Sequence, residues 1–211
     1  MAEHKVNKYL LVYRSFALAV AILGIGYRFI DTFIRDGFLH SLNLLGYFTI
    51  QSGIMIILMF TILIVNQVKG HPESKVKPGL RGAVLLYALV TSIVFLTMLN
   101  DKVEMSGLSH LVLYVNHFLT AFLLLIDNRF TVPARSYEWK HIALWLIYPF
   151  GYLVFSVIES LLTGRFRYFF LNYTELGAFR YILSILFLVL FFSLLSSFIV
   201  FVNRRLKKVD G

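Results

Sequence analysis

The chain contains no cysteine. Disulfides, zinc–thiolate centres and thiol nucleophiles are therefore excluded. Charge is also scarce: only 15% of the 211 residues are Asp, Glu, Lys or Arg, against about a quarter in a soluble domain. Four prolines and no low-complexity tract leave little room for long linkers, and no internal repeat is evident. No HExxH pair and no glycine-rich phosphate loop occurs. Hydrocarbon fills the space these absences leave. The composition is 59% hydrophobic, the mean hydropathy is +0.78, and apolar runs recur along the whole length. That pattern predicts a polytopic membrane protein. The net charge of +9 does not point to nucleic acid, because no basic cluster lies on a soluble module.

Six runs are long enough to cross a bilayer, at about 9–27, 42–65, 80–99, 108–126, 141–162 and 179–202. They predict an all-α bundle of six transmembrane helices forming a single domain over 1–211. Helices are expected because spanning backbone must satisfy its own hydrogen bonds, and the runs lack the alternation of a barrel. The opening "MAEHKVNK" precedes the first run with no small-residue cleavage site, so that run reads as a retained span. The connectors distribute basic residues unequally. Thirteen fall on one side: Lys5, Lys8, Lys69, Lys75, Lys77, Arg81, Arg129, Arg135, Lys140, Arg204, Arg205, Lys207 and Lys208. Six fall on the other: Arg28, Arg35, Lys102, Arg165, Arg167 and Arg180. This bias predicts that both termini are cytoplasmic, in a protein of the plasma membrane.

Polar groups within the spans are costly and mark candidate sites. Arg14 lies close enough to the cytoplasmic end of span 1 to snorkel. Arg28 and Asp31, three residues apart at its outer end, are spaced to pair, and Glu159 is placed at the outer interface. His117 lies nine residues into span 4, about 14 Å along the helix, with Asn116 beside it. Either the two bridge helices, or the imidazole does chemistry. Span 2 runs parallel to span 4, and Thr49 in "GYFTIQSGI" lies about 10 Å deep. Ser52 is one turn further on nearly the same face, with Gln51 directed elsewhere. A hydroxyl and a neutral imidazole at matching depth are the minimum set for acyl transfer.

Metal chemistry is disfavoured: His110 and His117 are about 10 Å apart along their helix, and His40, His71 and His141 read as connector or interfacial residues. With only His117 deep in the membrane, bis-histidine haem is disfavoured too. Pro149 and Gly151 interrupt span 5, and the connector "TGRFRYFFLNYTELGAFRY" reads as an aromatic belt or as the rim of a lipid entry site.

The stretches "YFTIQSG", "NHFLTAFLLLID", "WLIYPFGY" and "YFFLN", in this order, resemble the androgen-inducible membrane protein family. Its mammalian members hydrolyse fatty acid esters of hydroxy fatty acids. The resemblance implies a cofactor-independent hydrolase with Thr49 as nucleophile and His117 as general base, acting on a lipid or fatty-acyl ester. The histidine assignment follows the family spacing of ten residues to an acidic side chain, here Asp127; aligning on the Asn-His pair would instead place Thr120 there. Gly53 stands where bacterial relatives usually carry asparagine, Ala121 where they carry proline, and "YFFLN" lacks that block's prolines. Asn116, Ser52 and Arg28 are candidate oxyanion donors by proximity. The other reading is a non-catalytic transporter or lipid-binding protein with His117 as a structural or proton-linked group.

Overall fold

The computed structural model describes residues 7–100 and 107–206; of the residues used above for orientation, Lys5, Lys102, Lys207 and Lys208 lie outside them. The described residues contain six helices long and apolar enough to cross a membrane. These are α1 (Lys8–Asp36), α2 (Phe48–Val68), α3 (Pro78–Leu99), α4 (Gly107–Thr131), α5 (Lys140–Thr163) and α6 (Tyr173–Arg205). Hydropathy located each helix but not its ends. α1 continues nine residues past the expected 27, because its polar tail supplies its own stabilisation: Arg35 pairs with Asp31 one turn earlier at 2.6 Å. Asp31 thus pairs with Arg35 and also lies within electrostatic reach of Arg28, its expected partner. Gly37 ends the helix with φ +87°, and a two-turn helix (Phe38–Asn43) returns the chain to α2. Asn7 caps α1 by accepting the Leu10 N–H at 3.2 Å. Asn172 caps α6 through Thr174 and Glu175, and a break at Gly177 follows within one turn.

α3 is the most buried of the six; α2 and α4 pack against it and against each other, and α1 packs on α2 and α4. α5 and α6 dock on the remaining side of α3 and are the least buried. The outward face of α6 is apolar over its length, with Leu186, Leu190, Leu194 and Phe198 all exposed. A helix greasy outside as well as inside requires a lipid environment.

Close helix contacts use glycine. At Gly82 a Cβ would lie 2.3 Å from the Trp145 ring, and that indole is held by its Nε1–H bond to the Gly79 carbonyl at 2.7 Å. Gly82→Ala is therefore expected to cost about 1–3 kcal/mol through overpacking, measured by unfolding in denaturing detergent. Gly53 meets α1 in the same way: a Cβ there would lie 2.6 Å from Ile25 Cδ1. α1 and α2 therefore approach closely at Gly53, and a larger residue there would require the Ile25 side chain to move.

The end of the bundle that carries Asn7 and Arg205 is closed by a buried ionic cluster. Arg14 donates from Nε to Asp127 at 2.8 Å and from both terminal nitrogens to Glu73 at 2.7 Å. Arg81 donates to the other Asp127 oxygen at 2.6 Å and to Glu73 at 3.3 Å. Gln67 accepts a further Arg14 proton at 3.1 Å. Arg14 thus does not snorkel: its side chain is fully buried, because acids from the 69–77 connector and α4 reach it there.

Candidate functional site

α2 begins abruptly after Tyr47, whose extended backbone provides no side-chain cap. Phe48 and Thr49 therefore occupy the first turn, where amide N–H groups have no partner within the helix. The polar groups facing them are two phenols from elsewhere in the chain. Tyr152 of α5 donates to the Gly46 carbonyl at 3.0 Å and faces the Phe48 amide. Tyr168, in the connector before α6, faces the Phe48 and Thr49 amides, the Thr49 side chain and the Tyr152 phenol. Burial pushes the Tyr168 phenol above its ordinary pKa, so it remains a protonated donor at neutral pH.

Thr49, Tyr152 and Tyr168 share the wall of one cavity. The space measures roughly 740 Å³, part of it open to the outside, and lies among α2, α3, α5, α6 and the turn at Phe170–Leu171. Its remaining walls are hydrocarbon, including Val94, Leu153 and Leu188, apart from the Thr91 hydroxyl. Pro149 also lines it; α5 passes through this proline without ending. The cavity is thus a greasy chamber whose polar atoms gather at the start of α2.

A second, polar cleft lies at the same end of the bundle. Arg28, Arg35, Arg165, Arg167 and His40 line it, together with Asp36 and Tyr47. Arg167 is held by Glu159 on one side and by the Asn43 carbonyl at 2.7 Å on another. Its hydrogen bonds to Glu159 hold its pKa above the usual arginine value. The guanidinium also sits 5.0 Å from the centre of the Tyr47 ring. Tyr47 and Arg167 face this cleft while their chain neighbours Phe48 and Tyr168 face the apolar cavity. One residue step in each chain separates the two spaces.

His117 occupies a different position. It is buried in a five-residue π segment of α4 (Val115–Leu119), stacked 4.2 Å from the Phe95 ring in the matching π segment of α3. Its Nδ1 lies 2.8 Å from the Leu113 carbonyl. A carbonyl can only accept, so Nδ1 carries the proton and Nε2 keeps its lone pair, the arrangement a general base requires. No hydrogen bond joins Thr49 to His117 among the described residues, and His117 does not line the cavity. α3 touches both, since Thr91 lines the cavity and the next residue, Ser92, donates to the His117 carbonyl.

The remaining candidates are committed elsewhere. Asn116 donates to the Gly24 carbonyl of α1 at 3.0 Å. Ser52 bridges the Thr49 carbonyl and the Thr91 hydroxyl at 2.9 Å each. Arg28 lines the basic cleft, and Gln51 is bonded to Tyr148 and the Leu45 carbonyl. The two phenols were missed by sequence reasoning. Tyr168 lies in a connector with no periodicity, where its ring reads as one more member of an interfacial belt. No family model, curated protein or solved structure matches the chain.

Proposed function

We propose that the protein is an intramembrane hydrolase of lipid-derived esters, of the fatty acid–hydroxy fatty acid kind, with Thr49 as nucleophile and His117 as general base. The observation that carries this reading is the Thr49 hydroxyl on the wall of an apolar cavity beside a basic cleft. An acyl chain fits the cavity, and a free carboxylate on the other half of the ester suits the arginines. Thr49 Oγ1 attacks the ester carbonyl while its proton passes to His117 Nε2. The tetrahedral adduct collapses, the C–O bond to the alcohol breaks, and the leaving alkoxide takes that proton. Water then hydrolyses the threonyl ester by the same steps. Because no hydrogen bond joins the two residues, the proton crosses through an intervening hydroxyl or water, and Thr91 supplies another hydroxyl on the cavity wall. In this reading both termini are cytoplasmic, the membrane is the plasma membrane, and the cavity lies toward the outer leaflet.

The transporter alternative needs polar lining toward the opposite end. Between Ser52 and Gln67 of the ionic cluster, α2 presents only Ile56, Met59, Phe60 and Leu63 as buried side chains, which interrupts such a path and favours the hydrolase. A fluorophosphonate probe separates the readings. It should label the wild-type protein, and Thr49→Ala should abolish the labelling while the variant still elutes as a folded species. Labelling that survives this substitution removes Thr49 as nucleophile.

A further inference from the structure

The start of α2 gathers more donors than a helix end needs, and they converge on the candidate nucleophile. The Phe48 and Thr49 amides lack helical partners, and Tyr168 faces both of them together with the Thr49 side chain. Thr49 and Tyr168 share the cavity wall, and Tyr152 is already committed to the Gly46 carbonyl, which leaves Tyr168 as the phenol whose proton is available at the start of α2. We propose that Tyr168 is a catalytic residue whose phenol donates a hydrogen bond to the oxyanion formed when Thr49 attacks an ester.

This rests on Thr49 being the nucleophile. As the Thr49 Oγ1–carbon bond forms, the carbonyl π electrons move onto oxygen beside Tyr168. The phenol O–H turns to that oxygen without transferring its proton. The amides oriented at the phenol oxygen polarise the O–H, which favours donation to a forming charge. The surrounding hydrocarbon screens charge poorly, the condition under which a single donor has a large effect. When the adduct collapses the negative charge leaves this oxygen. Tyr168 also explains why the connector folds inward: placing the phenol at the α2 start satisfies a helix end that has no cap of its own.

The test compares labelling rates with a fluorophosphonate, whose phosphoryl oxygen develops the same charge, and turnover of a medium-chain p-nitrophenyl ester. Tyr168→Phe is expected to lower both rates roughly 100- to 1,000-fold through kcat, with KM little changed. Tyr152→Phe should have a much smaller effect. Replacing Tyr168 with 3-fluorotyrosine, which keeps the shape and acidifies the phenol, should displace the alkaline limb of the rate profile to lower pH. A group that only packs or caps would leave that limb in place, and this variant decides the matter if Tyr168→Phe fails to fold. Wild-type rates in Tyr168→Phe, with Thr49→Ala silent, overturn the role of Tyr168 and leave the nucleophile standing. Undiminished labelling of Thr49→Ala overturns both.

Discussion

Asp127→Ala is expected to destabilise the protein by about 3–5 kcal/mol, the range for removing one partner of a buried ion pair. Asp127 is the shared acceptor of two arginines whose side chains are 0% and 1% exposed. Without it both guanidiniums rely on Glu73, which is 33% exposed and held in a connector. Neither arginine can reach water without separating α1 or α3 from α4, so the penalty falls on the folded state. Glu73→Gln should cost clearly less, because a part-exposed pair is weakened by solvent. Equilibrium unfolding in denaturing detergent measures both. A loss below about 1 kcal/mol for Asp127→Ala would place the cluster among weakly coupled surface pairs and contradict its buried geometry.

His117→Gln should slow fluorophosphonate labelling of Thr49 by roughly 100- to 10,000-fold, the usual range for removing a general base. Glutamine keeps polar character and much of the volume, so packing against Phe95 is largely preserved. The Nδ1 contact with Leu113 fixes the tautomer that leaves Nε2 basic, which gives the prediction its direction. The same geometry supplies its counter-test. If His117 only ties one turn of α4 and stacks on Phe95, the folded variant will label at the wild-type rate. Thr91→Val provides a separate probe of the path between the two residues. It should slow labelling less than His117→Gln does, because a water can replace a relay hydroxyl but not a base.

Six spans were legible in the sequence because bilayer thickness sets a length that local composition must meet. Thr49 and His117 were singled out for the same reason, as polar residues in apolar runs. Thr49 nevertheless stands in the first turn of α2 and not at the expected depth, because that helix begins only at Phe48. Helix ends were not legible, since the continuation of α1 to Asp36 depends on a pair between Asp31 and Arg35 and on Gly37. Hydropathy cannot register either. Arg14 shows the limit most clearly. Counting along its own helix places it near headgroups, yet its partners arrive from positions 59 and 113 residues away. A charge is buried when partners converge on it, and convergence is a property of packing.

The membrane class, the number of spans and the absence of thiol chemistry follow from composition alone, because hydration of the chain is a sum over residues. Which face of α2 meets the cavity, that Tyr168 reaches the first turn of that helix, and that α3 lies against both Thr49's chamber and His117 depend on packing. Each is a contact between distant segments, and its free energy exists only once desolvated groups are held at hydrogen-bond distance.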